Sequence, residues 1–394
     1  MNPPTAHKRV TSIDVLRGLV MVIMALDHVR DYFHYDAFFF DPTDLSQTTP
    51  ALFFTRFVTH FCAPIFVFLA GTSAYFVGKK KSKHELSLWL VKRGFWLIFA
   101  ELIIVKFGWM FKLNFEELDL QVIWVLGAAM IFLAGIIHLP KKVTIICCIV
   151  FIAIHNAFDG YQPESGLWAD IWIFLHQSFR VVPFGSVNAL VAYPLIPWIF
   201  LMPLGYHFGA LYAPEYGASK RQRFLWIVGG IIIFLFVTIR LLNVYGDPHP
   251  WSTQKNFTFT ILSFLNLAKY PPSLLYLLIT IGPTFIFLAI AEKWETKLHG
   301  ILSTIGRVPM FYYIVHIFLI HLLALIAASM TGFKASDMIL DTWVTMSSNL
   351  QGYGFGLGVV YLVWIFVVVS LYPVCKWYGQ YKAAHRHYWW LSYL

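Results

Sequence analysis

The stretch IDVLRGLVMVIMALDHVRDYFH, residues 13–34, decides how the chain is read. A helix crossing the hydrocarbon core of a bilayer needs about 20 mainly apolar residues, and this stretch has that length with an apolar middle. Its ends are charged. Asp14 and Arg17 stand near one end, and Asp27, His28, Arg30, Asp31 and His34 near the other. An ionisable group at the centre of a span costs about 2.5 to 3.5 kcal/mol, so each one needs a partner or a role. Arg17 and His28 are about 16 Å apart along a helix axis, close to three turns, and so share nearly one face. That face is read as lining a polar path through a membrane.

Further apolar segments follow at 51–77, 88–111, 120–138, 143–158, 190–213, 224–243, 274–292, 308–330 and 355–378, the fifth of the ten being short and interrupted by polar residues. Of the 394 residues 59% are hydrophobic and 12% charged, whereas a soluble domain has about a quarter charged. The expected fold is an all-α polytopic membrane protein, one domain over 1–394, with about ten transmembrane helices and both termini cytoplasmic.

Charge placement sets the orientation, since short cytoplasmic loops are rich in Lys and Arg. With Lys8 and Arg9 inside, the inward loops carry Lys79 to Lys83, Lys141 and Lys142, Lys220 to Arg223, and Lys293, Lys297 and Arg307; Lys376, Lys382 and Arg386 follow in the tail. The outward loops carry Asp31 to Asp44, Glu116 to Asp119, and Asp159 to Asp170. One span more or fewer would break this alternation. The net charge of +9 is thereby spread over loops, which argues against a nucleic-acid partner. Met1 to Thr11 lacks the pattern of a cleavable signal, so the first segment is expected to remain as an anchor. The four cysteines lie in apolar stretches and suggest neither disulfides nor a metal site. Residues 35–50, 159–189 and 244–273 make long outward loops suited to a substrate site. Within them, Leu167 to Val181 has the period of a helix lying along the interface.

His28 and Asp31, three residues apart, could pair so that the carboxylate fixes the imidazole tautomer and leaves one nitrogen as a base. Asp27 with Asp31 offers a second arrangement, and a wetted helix rim is the plainer alternative. In the second span Arg56 and His60 share a face at a depth matching His28, so two histidines could face one cavity. Pro64 would free a backbone carbonyl beside it. A histidine hydrogen-bonded between helices for packing alone is the competing reading of His60. Glu101 and Lys106 fall in the third span, Asn188 opens the sixth, and His316 and His321 lie in the ninth. For His316, an interhelical hydrogen bond is favoured over a ligand contact. No two histidines show compact ligand spacing with a carboxylate, and no phosphate loop or serine-nucleophile motif is present.

The run from Ser12 to Val22, with Ala25 to Phe33 behind it, resembles the heparan-alpha-glucosaminide N-acetyltransferase catalytic-domain family, as do His60 to Gly71, Tyr193-Pro-Leu-Ile-Pro-Trp198 and Gly306-Arg-Val-Pro309. Arg17, ten intervening residues and His28 are also similar to the arginine-to-histidine signature of the wider transmembrane acyltransferases, including the acyltransferase type-three family. The resemblance implies acetyl-CoA as donor substrate from the cytoplasmic side and an acceptor reached across the bilayer. In animal members of the family the position of His28 looks like an asparagine and the catalytic histidine follows in the first outward loop, where this chain offers His34. His28 is therefore the first expected base and His34 the second.

The expected reaction is acyl transfer to a sugar amine or hydroxyl. His28 takes the proton, Asp31 or Asp27 orients it, and His60 or Arg56 stabilises the oxyanion; an acyl-histidine intermediate stays open. Arg17, Arg56, Arg93, Arg307 and His316 are the donor-site candidates, arginine suiting phosphate, and no metal is expected. The expected partners are membrane lipids, acyl-CoA and a glycan or amino-sugar acceptor; a homodimer stays open. The expected location is a bacterial inner membrane. A transporter or flippase for a sugar-linked or anionic metabolite is the alternative, with a non-catalytic scaffold behind it.

Overall fold

The computed structural model describes residues 11–294, 296–385 and 387–392; Lys8, Arg9 and Arg386 of the charge pattern lie outside the described residues. Helix α1 covers Thr11–Phe33, and the second expected span is split into α2 (Pro50–Phe57), a 3-10 turn (Val58–Phe61) and α3 (Cys62–Gly78). Thr49 accepts from the Leu52 N–H at 3.3 Å, and Pro50 sits in the first turn, where its missing N–H costs nothing. Ser82 and Glu85 form a reciprocal capping box that starts α4 (Lys83–Ala100). A π turn, Glu101–Val105, leads to α5 (Lys106–Met110) and β1 (Glu117–Leu120). Next come α6 (Val122–Ile136), α7 (Lys141–Ile154), α8 (Leu167–His176), β2 (Arg180–Phe184) and β3 (Val187–Val191). The chain continues through α9 (Trp198–Phe208), α10 (Ala218–Leu242), α11 (Phe257–Leu265) and α12 (Leu274–Ala291). It closes with α13 (Lys297–Gly306), α14 (Pro309–Met330) and α15 (Leu357–Ala384).

The architecture is a helical polytopic membrane fold. Among the described residues six helical stretches are long and apolar enough to cross a bilayer: Pro50–Gly78, Lys141–Phe158, Ala218–Leu242, Leu274–Ala291, Pro309–Met330 and Leu357–Ala384. The other four expected spans differ for two reasons. Segment 13–34 is helical, but its charges make it a poor lipid-facing element, and segment 88–111 likewise carries Lys92, Arg93, Glu101 and Lys106. Helices α6 and α9 are only 15 and 11 residues long.

The expected start of the sixth span is a correction: Asn188 belongs to β3, which pairs parallel with β1 and antiparallel with β2. Gly185 at φ +64° makes the two-residue turn between β2 and β3, as Gly at the first position of a tight hairpin allows. Helix α8 occupies Leu167–His176 as expected, whereas Val181 lies in β2.

Helix α1 is central: sixteen of its 23 residues are buried, and it packs on α3, α12, α13, α14 and α15. Its contact with α13 depends on glycine at two points. A Cβ on Gly18 would lie 1.9 Å from the Leu302 carbonyl oxygen, and one on Gly306 would lie 1.9 Å from that of Asp14. Backbones this close are typical of small-residue packing between membrane helices. Outward faces of α7, α10 and α15 expose Ile149, Phe151, Ile231, Phe234, Ile365 and Phe366, which suits contact with lipid tails.

Several polar groups that the sequence singled out hold the frame. Glu101 accepts from the N–H groups of Ile123 and Trp124 at 2.8 and 2.9 Å, capping α6. Lys106 pairs with Asp119 at 3.1 Å. Arg240, which the sequence reading passed over, is buried and donates to the carbonyls of Phe264, His249, Ser263 and Asn266 at 2.8 to 3.0 Å, clamping the 244–273 loop. Each buried group left unsatisfied costs about 1–3 kcal/mol. Arg240→Leu is therefore expected to lower the unfolding temperature of the detergent-purified protein by several degrees; an unchanged melting curve would deny the clamp.

Candidate active site

Two cavities lie along α1. The one at its Phe33 end has a volume of about 470 Å³ and is lined by His28, Asp27, Arg30, Asp31, Arg56 and Lys269, with Trp109, Tyr193, Tyr270, Tyr313 and Trp343 as aromatic walls. The one toward the Thr11 end has about 260 Å³ and is lined by Arg17, Arg93 and Lys382 together with Ser73, Trp89 and Met310. Phe66, Val122 and Tyr313 line both and form the partition between them.

His28 Nδ1 is 2.8 Å from His316 Nε2. His316 Nδ1 is 2.9 Å from the carbonyl oxygen of Tyr312. A carbonyl only accepts, so Nδ1 of His316 carries the proton. Neutral His316 then presents a lone pair at Nε2, and His28 donates to it from Nδ1. The consequence is a His28 ring whose Nε2 holds a lone pair. Trp109 packs edge-on at 4.7 Å between ring centroids and Tyr313 at 6.3 Å, limiting the ring's freedom. Tyr32 donates to the Trp109 carbonyl at 2.5 Å, steadying that wall.

This corrects the expected carboxylate partner of His28. Asp27 is taken by cations: Arg56 at 2.6 Å, Arg30 at 3.0 Å and Lys269 at 3.9 Å. Asp31 pairs with Arg30 at 2.5 Å. Helical geometry explains the difference, because Arg30 and the incoming Arg56 compensate these charges better than a neutral imidazole can. His316 is the interhelical hydrogen-bond partner that the sequence favoured, but it sits at His28 and not in the basic second cavity.

His60 is also displaced from its expected place. It is buried outside the cavity lining, its ring 5.3 Å from that of Tyr276. Tyr276 donates at 2.7 Å to the His60 carbonyl, the one that Pro64 leaves without its helical N–H. The expected freed carbonyl is present, and a tyrosine satisfies it. His34 is buried at the junction of α1 with Phe355 and lines neither cavity.

Of the five donor-site candidates, Arg17 and Arg93 meet in the second cavity. Arg17 also donates to Ser73 Oγ at 2.9 Å and the Gly306 carbonyl at 3.1 Å. Arg56 lines the first cavity, and Arg307 lies at the surface 3.8 Å from Asp14. Lys382, noted in the sequence only for its sign, completes the basic set. Lys269, Tyr270 and Tyr193 were missed as a group. Tyr193 and Tyr270 hydroxyls are 3.4 Å apart, and the signals were the Tyr193-Pro-Leu-Ile-Pro-Trp198 motif and an aromatic loop ending in Tyr270-Pro271-Pro272.

Fold and site together define a helical membrane protein with a histidine pair in a charged cavity and a second, basic cavity behind it. The family model for heparan-alpha-glucosaminide N-acetyltransferase, catalytic, matches residues 9–245. The chain belongs to that family of acetyltransferases. No curated protein matches the chain. The match contains Arg17, His28, Arg56 and Arg93 but ends before Lys269, His316 and Trp343, which complete the first cavity's walls and histidine pair.

Proposed function

We propose that the chain is an acetyl-CoA-dependent acetyltransferase of a bacterial cytoplasmic membrane, acting as one domain with about ten spans and both termini inside. Acetyl-CoA enters from the cytoplasm into the Arg17, Arg93 and Lys382 cavity, and a sugar amine or hydroxyl occupies the His28 cavity from the outer side. The observation carrying this reading is the pair of cavities on one helix, one basic and one holding an imidazole lone pair, with Phe66, Val122 and Tyr313 between them.

The acceptor atom attacks the thioester carbonyl as His28 Nε2 takes its proton. The tetrahedral intermediate collapses, the C–S bond breaks, and the imidazolium returns the proton to the leaving CoA sulfur. His316 holds the Nδ1–H tautomer. Of the two groups expected to meet the oxyanion, Arg56 is the one lining the cavity. Three cations, Arg30, Arg56 and Lys269, face three carboxylates, Asp27, Asp31 and Asp41, in that cavity. Such balance suits a polar acceptor stacked on aromatic walls more than a strongly anionic one.

Thermal unfolding of the purified chain over concentration series of acetyl-CoA, CoA and ATP tests the donor. A ligand at 100 times its Kd stabilises by about 2.7 kcal/mol. Both CoA species are expected to raise the melting temperature and ATP to leave it unchanged. Arg93→Ala is expected to move the CoA midpoint to higher concentration. No shift with either CoA species would reject the reading and favour transport.

A further inference from the structure

We propose that His155, Asp159 and His176 bind one divalent transition-metal ion of the zinc class, at a site outside the lining of both cavities. His155 opens the 3-10 turn His155–Phe158 that ends α7, Asp159 follows one helical turn later, and His176 is the last residue of α8. One ligand atom from each lies within 4.8 Å of the other two. His176 Nε2 and Asp159 Oδ1 are already 3.7 Å apart. Tetrahedral ligands bonded at about 2.0–2.1 Å stand roughly 3.3 Å from one another, so small side-chain rotations close the set.

His155 is buried, and among the described residues neither of its ring nitrogens has a hydrogen-bond partner; Asp159 Oδ1 has none either. Buried polar atoms are nearly always satisfied, and an ion between these groups would satisfy Asp159 Oδ1 and one of the two His155 nitrogens. His176 Nε2 lies 3.0 Å from the His155 carbonyl, the contact that a proton on that nitrogen makes without an ion. Metal binding exchanges this proton for the metal bond.

The surroundings hold the ligands in place. Asn156 donates to Asp159 Oδ2 at 2.8 Å and accepts from the Leu274 N–H at 2.8 Å, tying the group to α12. Trp172 stacks on the His176 ring at 5.3 Å. Such outer contacts orient metal ligands. Two imidazoles and one carboxylate suit Zn²⁺ and its neighbours, whereas Ca²⁺ and Mg²⁺ prefer all-oxygen sets. Asp159 is half-buried, leaving room for water as the fourth ligand. The ion would staple α8 to the ends of α7 and α12. His155 and His176 have no compact ligand spacing along the chain, because His176 joins His155 and Asp159 only through folding.

The test uses the full chain in detergent without a polyhistidine tag, stripped by chelator, reloaded with Zn²⁺ or Co²⁺ and desalted. Wild type is expected to retain one Zn²⁺ per chain, to show the visible absorption of tetrahedral Co²⁺, and to melt higher with Zn²⁺ than with Mg²⁺. His155→Gln and Asp159→Asn are expected to weaken retention by at least about tenfold. Wild type that retains no metal, or retention undiminished in both variants, would overturn the proposal. No acyl substrate is present, so the result stands apart from the acetyltransferase reading.

Discussion

His28→Ala is expected to lower acetyl transfer by about 10² to 10⁴-fold, the usual contribution of a positioned general base, while CoA still stabilises the protein. The separation follows from geometry. His28 lines the cavity at the Phe33 end of α1, whereas Arg17, Arg93 and Lys382 line the other. Removing the imidazole deletes the proton acceptor without touching the basic groups. His316→Ala should fall between wild type and His28→Ala, because it removes the 2.8 Å partner of Nδ1 but leaves the base in place. His34→Ala and His60→Ala should affect stability more than turnover, since neither residue lines a cavity. The check is thioester cleavage in membranes carrying equal amounts of each variant. Wild-type turnover by His28→Ala would remove it from the chemistry; a loss confined to His34→Ala would transfer the role to the outward loop.

Gly18→Val is expected to abolish accumulation of folded protein, and Gly306→Val to do the same from the other side of one contact. A Cβ at either position would lie 1.9 Å from a backbone oxygen of the facing helix, a separation that no rotamer change relieves. The helices must part. Overpacking typically costs about 1–3 kcal/mol and occasionally more, and here backbone displacement also breaks the bond from Arg17 to the Gly306 carbonyl. Gly135→Val, where nothing lies within 4 Å of the added atom, is the matched control. Size-exclusion profiles and melting curves in detergent decide it. Profiles of Gly18→Val and Gly306→Val matching the control would show that α1 and α13 are not packed this way. The glycines in the Arg17-Gly18 and Gly306-Arg307 motifs thus have a packing duty, and the arginine of the first motif spans the same interface.

What the residues determine alone is what depends on neighbours in the chain. Apolar length and low charge indicate a helical membrane protein, and the 3.6-residue period brings Arg17 and His28 onto one face. Proline chemistry frees the His60 carbonyl. The Gly185-Ser186 turn between two short valine-containing segments is equally local, and reading 190–213 as a span from hydropathy alone hides the hairpin. Partner choice depends on atoms far apart in sequence. His316 lies 288 positions from His28, and Arg56 takes Asp27 from another helix. His176 reaches His155 only when α8 folds back on α7. Tertiary structure alone decided these pairings because a helix's period gives the face a side chain occupies, while the packing of other helices selects what meets it there.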